Sequence, residues 1–422
     1  MTAARIAPGR PREKEAGHDR AVVGWLVFAL FASIFLQRFG LPIGEVGIAL
    51  NLLLTMVALA AIGVRGGFGV DPLRLLLLCA FIACVWFSAA ANAGRSTAPS
   101  AALVVLVYAP YALTLRRPDG VFLACIRAFQ AMVLVCAVAG IVQFLAQFAV
   151  DPALLFTFHG LLPDAMLLKG WGNMQPLQWG STIYRSNGFF LNEPSTFSQY
   201  LALAIVIEVL FFSRVRHLLV YGVAILLSYS GTGLVLLAVM LPLVLVQRRA
   251  WKALLGLAVL GAVVVALGDL LHMDTLVARV GEFGSSGSSA TARYQAGAWL
   301  VAWYLLPWPL DLLFGLGPGS FLDTARLQSF EAHDGTFWKV LFEYGVIGSL
   351  AFWLMFAVVL LDRVPSPWVA VALGIGFLAF GGMMLDTRLQ VLILLFCSLT
   401  KTSAAVAFPV ARGGLHHASG AR

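Results

Sequence analysis

Apolar stretches of membrane-spanning length, punctuated by Gly, Pro and Arg, follow one another from Ala21 to Thr400. A helix needs about 20 apolar residues, within a range of about 17–25, to cross the hydrocarbon core of a bilayer. Candidate spans are 21–37, 43–64, 73–91, 101–115, 128–150, 194–212, 253–271, 336–361, 368–385 and 389–400, with a longer stretch at 218–246. Charge content excludes a water-soluble fold: 11% of the 422 residues are charged and 60% are hydrophobic, whereas a soluble domain carries roughly 25% charged residues. So few charges cannot cover a water-facing surface, so lipid is the expected solvent. The expected fold is an all-α polytopic membrane protein with about 12 transmembrane helices. A single domain spans 21–400, between a basic cytoplasmic tail (1–20) and a second cytoplasmic tail (401–422).

The stretch 218–246 is too long for one straight span. Arg214 and Arg216 precede it, and Arg248, Arg249 and Lys252 follow. Basic residues mark cytoplasmic flanks, and two such flanks require an even number of crossings. The run Ser228-Tyr229-Ser230-Gly231-Thr232-Gly233 suits a turn. The segment therefore reads as a hairpin of two short helices with its tip on the outer side. On this count both termini are cytoplasmic. The net charge of +8 comes mainly from residues that punctuate spans, so it is no sign of nucleic-acid binding. The first 20 residues mix Arg5, Arg10, Arg12, Lys14 and Arg20 with Glu13, Glu15 and Asp19, unlike the leading region of a signal peptide. Cys79, Cys84, Cys125, Cys136 and Cys397 lie in or beside apolar runs and read as small core residues.

Five basic residues escape the topological pattern: Lys169, Arg185, Arg279, Arg293 and Arg326. They lie in two long outer segments, about 151–192 and 272–335, and function concentrates on such loops. Four pieces stand out. In Tyr184 to Ser195, Arg185 is suited to meet an anion and Glu193 to polar or acid–base work. On spacing alone they read equally well as an interfacial anchor and a residue favouring a helix N-terminus. The Gly/Ser run 284–289 leads to Arg293 and Tyr294. An arginine on a flexible loop can pair bidentately with phosphate, or simply be solvated. The apolar stretch that follows, with Trp299, Trp303 and Trp308, is expected in the membrane interface. Gly315 to Phe321 reads as a tight turn and matches no nucleotide-binding pattern. Finally, His333 and Asp334 sit just before the span that carries Lys339 and Glu343. A histidine there can hold or relay a proton, or be an interfacial residue. With no Cys or second His nearby, a metal cage is not expected.

These pieces, in this order, resemble the O-antigen polymerase/ligase superfamily, which includes Wzy-type polymerases, O-antigen ligases and exopolysaccharide polymerases. Gly140-Ile141-Val142-Gln143-Phe144 is similar to the family's fifth-span signature, and Arg185 to Tyr200 to its segment before the sixth span. Ser228–Gly233 resembles its hairpin tip, and Arg293 to Gly348 its large periplasmic loop and the helix after it. The resemblance implies a GT-C-type glycosyltransferase of a bacterial inner membrane, working at the periplasmic face without metal or other cofactor. It would use a glycan donor linked through pyrophosphate to undecaprenol, and a glycan acceptor. A chain-length regulator would be a further partner.

Carried over by position, the resemblance makes Arg185 and Arg293 the pyrophosphate-binding pair. His333 would position or deprotonate the attacking hydroxyl. Glu193 matches a Glu-Pro of many exopolysaccharide polymerases and is placed with His333 as catalytic. Tyr184, Arg279, Tyr294 and Asp334 are supporting residues. Two departures stand out: Thr232 where the hairpin tip often has arginine, and Asp334 where asparagine usually follows the histidine. The expected function is polymerisation of lipid-linked repeat units. The alternatives are a ligase that transfers glycan to lipid A-core, or a polysaccharide transporter. A transporter would concentrate polar groups at the bilayer midplane and show internal repeats, and neither is visible here.

Overall fold

The computed structural model describes residues 11–43, 46–158, 162–163, 166–168, 173–178, 180–250, 291–292, 295–379 and 383–401, with backbone alone for 11–18, 42–43 and 46–47. The expected span 253–271 lies outside the described residues, as do Lys169, Arg279, Arg293 and Tyr294.

Helix α1 (Pro11–Phe35) is followed by an antiparallel hairpin, β1 (Gly40–Ile43) with β2 (Val46–Ala49), and then by α2 (Leu50–Val64). Strand β3 (Phe68–Val70) precedes α3 (Pro72–Ala91) and α4 (Ala98–Tyr108), and pairs antiparallel with β4 (Leu113–Leu115). Residues 43, 46–49 and 113–115, expected to be helical, are therefore extended. Short apolar runs beside Gly and Pro do not distinguish strand from helix by periodicity. Next come α5 (Val121–Ala146), α6 (Pro152–Phe156) and α7 (Pro194–Ile207), which widens into a π turn over Glu208–Phe212. The expected helical hairpin is present as α8 (Val215–Leu227) and α9 (Gly231–Gln247), broken at Ser228–Ser230. Three short helices, α10 (Ala296–Tyr304), α11 (Pro309–Phe314) and α12 (Ser320–Arg326), lead to α13 (Thr336–Leu361). Helices α14 (Pro367–Ala379) and α15 (Thr387–Ile393) complete the described chain, with a π turn over Leu394–Ser398.

Among the described residues four helices are long and apolar enough to cross a bilayer: Pro72–Ala91, Val121–Ala146, Pro194–Phe212 and Thr336–Leu361. Six shorter apolar helices accompany them. Phe81, Phe129, Phe197, Tyr200 and Phe352 fill the core, while Leu76, Leu145, Leu350 and Leu354 face outward. Water-soluble surfaces avoid such apolar patches, so this is the surface of a helical membrane protein. Cys125, Cys136 and Cys397 are buried as expected, but Cys79 is exposed and Cys84 half-buried.

Ion pairs join the helix ends. The buried Glu208 receives two guanidinium bonds from Arg214, 2.9 and 2.7 Å. Elsewhere the Lys401 ammonium lies 2.9 Å from Asp71, which caps α3 by accepting from the Arg74 amide, and also touches Asp362. The start of α3, the end of α13 and the chain just beyond the π turn that follows α15 are thereby tied together.

Helix α13 is two helices end to end. Gly345 breaks it with φ 65° and ψ −169°. The Phe342 and Glu343 carbonyls accept from the Leu316 and Gly317 amides, 2.9 and 3.0 Å, and Ser88 Oγ also donates to the Glu343 carbonyl. The glycine turn expected at 315–321 is thus present, with Gly315, Gly317 and Gly319 all at positive φ. It packs into the break, where a Cβ on Gly315 would lie 2.4 Å from the Glu343 backbone.

Candidate functional site

Arg185 lies beneath the 173–178 segment. Its amide donates to the Gln175 carbonyl (2.9 Å) and Nη2 to the Leu177 carbonyl (3.0 Å). The side chain is buried, and among the described residues its Nε has no partner. The neighbours anchor this stretch to α5. The Tyr184 amide donates to Gln147 Oε1 (2.7 Å), Ser186 Oγ to the Gly140 carbonyl (2.9 Å) and Gln143 Nε2 to Asn187 Oδ1 (2.9 Å). Gly140 is needed for this approach, because a Cβ there would lie within 2.8 Å of Phe197 and Ser186. The Gly140–Gln143 piece and the Arg185–Gly188 piece, separate in sequence, therefore meet.

A second buried arginine, unassigned from sequence, closes the loop. Arg38 Nη1 donates to the Phe189 carbonyl (3.0 Å) and Nη2 to the Phe156 carbonyl (2.7 Å), with the guanidinium 3.8 Å over the Phe158 ring. Burial pulls its pKa down to about 10.

Glu193 precedes Pro194, whose fixed φ suits the first turn of α7. Its Oε2 accepts from Ser195 Oγ at 2.8 Å. The hairpin tip packs on this turn: Thr232 Oγ1 lies 3.1 Å from Ser198 Oγ, and the Gly233 amide donates to Ser198 Oγ at 3.1 Å. A Cβ on Gly233 would lie 2.3 Å from the Ser198 carbonyl oxygen, so the closeness depends on glycine. From the other side, Arg388 Nη1 donates to Thr196 Oγ1 (2.9 Å) while Nε donates to Asp386 Oδ1 (2.7 Å). Glu193 is within electrostatic reach of Arg388.

His333 is joined to the second loop by its amide, which donates to the Ala292 carbonyl at 2.9 Å. Its Nε2 lies 3.5 Å from Glu331 Oε1, and the ring is half-buried. Asp334 is 3.6 Å from the Lys339 ammonium, which is 2.9 Å from Glu343. Lys339 and Glu343 are buried, and Tyr344 donates its hydroxyl to Glu343 Oε2 at 3.0 Å. Gly335 pairs with Met383, which carries Asp334 toward Asp386. Burial raises the Asp334 pKa, Lys339 and His333 partly offset it, and Asp386 adds to it.

The amino ends of α7, α9, α13 and α15 therefore gather at one end of the bundle. Helix amino ends carry partial positive charge and free N–H groups, which favour anions. Glu193 and Asp334 are brought into one neighbourhood through Asp386 and Arg388. Tyr184 and Arg185 stand on the far side of the hairpin tip, linked by the Ser186 amide to the Leu227 carbonyl (3.1 Å). Among the described residues no ion pair joins Arg185 to Glu193, and no group of three or more His, Cys, Asp or Glu is placed to hold a metal ion. Asp386 and Arg388 were missed from sequence, although a charged Asp-Thr-Arg between two apolar runs was the available signal. Trp299, expected at an interface, packs edge-on against Phe330 at 5.3 Å, while Trp303 and Trp308 are exposed.

No protein-family model matches the chain, and no curated protein sequence matches it.

Proposed function

We propose that the protein is a polymerase of polyprenyl-pyrophosphate-linked oligosaccharides, a metal-independent GT-C-type glycosyltransferase of about 12 transmembrane helices, acting at the periplasmic face of a bacterial inner membrane. The observation that carries this reading is Arg185: a buried guanidinium whose Nε is unpartnered among the described residues, in the loop before α7. Guanidinium groups pair with phosphate oxygens through such donors. In this reading Arg185 and Arg293 hold the donor pyrophosphate, and His333 takes the proton of the attacking hydroxyl. Glu193 orients the acceptor from the start of α7. Charge develops on the pyrophosphate as the glycosidic bond breaks, and fixed cations in a water-poor site are a large catalytic term against it. Proton transfer to a positioned base contributes typically about 10²–10⁴-fold.

The test is the polysaccharide profile of a deletion strain carrying wild type, Arg185→Ala, Arg293→Ala or His333→Ala, with membrane insertion checked. Polymer restored by wild type and by neither arginine variant is the expected result. Normal polymer from both arginine variants would refute the site. Polymer of normal length that fails to reach lipid A-core in the deletion strain would make the protein a ligase instead. Accumulation of untransported repeat units would make it a transporter.

A further inference from the structure

At the mouth of α13 one buried ammonium serves two carboxyl groups, the buried Glu343 and the largely covered Asp334. Lys339 lies 2.9 Å from Glu343 and 3.6 Å from Asp334. Glu343 also accepts the Tyr344 hydroxyl at Oε2, while Asp334 has the longer of the two ion pairs with Lys339. Among the described residues, the charged groups facing Asp334 from other elements do not make up the difference. Asp386 adds a second negative charge from the start of α15, and Arg388 is taken up by Asp386 and Thr196. Glu193 faces Arg388 from α7, and Glu331 lies on the far side of His333. Two carboxylates sharing one cation in a low-dielectric setting cannot both stay ionised without large cost.

We propose that Lys339 and Glu343 are positioning residues that leave Asp334 as the exchangeable proton site beside His333. The inference rests on the glycosyl-transfer reading for its role. As the acceptor oxygen bonds to the anomeric carbon, the bond from that carbon to the pyrophosphate oxygen breaks, and its electron pair leaves with the phosphate. The hydroxyl proton passes to the His333 imidazole; the Asp334 carboxyl releases its own proton to solvent and then takes up the one held by His333, which restores both groups. Asparagine at 334 could not accept it. Burial supports this assignment, since it raises the proton affinity of Asp334.

The experiment uses the full chain in lipid nanodiscs, with infrared difference spectra recorded across a pH series for wild type, Asp334→Asn and Glu343→Gln. Wild type is expected to show a protonated carboxyl band that persists above the ordinary aspartate range. Asp334→Asn removes it. Glu343→Gln frees Lys339 for Asp334 and moves its titration down by about one pH unit or more, a tenfold change in proton affinity. A band that survives Asp334→Asn, or an unmoved titration in Glu343→Gln, overturns the proposal. Glu343→Gln retains an acceptor for Tyr344 and serves if Asp334→Asn does not fold. The pH dependence of glycan transfer is measured beside it. If the band behaves as expected while no variant alters any glycan product, the proton site stands and the glycosyl-transfer reading fails.

Discussion

Replacing Gly345 with alanine probes the join between the loop helices and the bundle. Gly345 sits at φ 65° and ψ −169°, a region that residues with a Cβ essentially do not occupy. Forcing a residue there costs on the order of 1–3 kcal/mol. The new Cβ would also lie 2.4 Å from the Leu313 carbonyl carbon and oxygen and 2.5 Å from the Phe314 amide nitrogen. These are backbone atoms of α11 and cannot rotate aside, so overpacking adds roughly 1–3 kcal/mol. The expected loss is about 2–6 kcal/mol, a large share of a total stability of about 5–15 kcal/mol. Gly376→Ala is the control: it lies in α14, where an added methyl would meet nothing within 4 Å, and gains about 0.8–1.0 kcal/mol of helix propensity. The assay is the midpoint temperature at which detergent-solubilised protein stops running as a single peak in size exclusion. Gly345→Ala should melt well below wild type and Gly376→Ala at or above it. Equal midpoints for Gly345→Ala and wild type would refute the break.

Two further outcomes follow from buried charged groups. Arg38→Ala leaves the Phe156 and Phe189 carbonyls without their donor, at roughly 1–3 kcal/mol each. Limited proteolysis within 156–189 should quicken by about tenfold or more, because cleavage tracks the open population; unchanged cleavage would remove Arg38 from the loop's anchoring. Burial pushes the Asp71 and Asp362 carboxyls up, but hydrogen bonds and charge from Lys401 more than offset it, so both fall below the usual range. Their stabilisation is therefore present above the ordinary aspartate value of about 3.9 and lost as pH falls through the lowered values. Lys401→Met should have a lower midpoint at neutral pH and a smaller further drop on acidification, while parallel curves for the two proteins would refute this coupling.

Local pattern sufficed where a single segment decides its own structure. The break at Ser228–Ser230, the start of α13 at Thr336, the glycine turn and the Glu208–Arg214 pair were all legible because each rests on neighbours within a few residues. The strands at 40–43 and 46–49 were not legible, since Val, Ile and Leu in short runs serve either conformation. Arg388 falls in the short gap between the expected spans 368–385 and 389–400, and its Thr196 partner is 192 residues away in the chain. Lys401 and Asp71 are 330 apart. Lys339 and Glu343 are legible as an i,i+4 pair, but their burial, and the second claim on Lys339 by Asp334, are set by the packing of α13 against its neighbours. Of the site residues drawn from the resemblance, Glu193, His333, Asp334, Arg185 and Tyr184 now have defined partners.

The break at Gly345 also bears on the order in which the chain is assembled. In lipid an unpaired backbone carbonyl costs several kcal/mol, and those of Phe342 and Glu343 are satisfied from the turn at 315–317 and from Ser88. Both partners lie earlier in the chain, so each has been synthesised by the time the break emerges from the ribosome. A chain interrupted or rearranged between the turn and α13 would deliver the break to the membrane without its seal. Lengthening that connection should therefore be tolerated less well than lengthening a loop at the rim of the bundle.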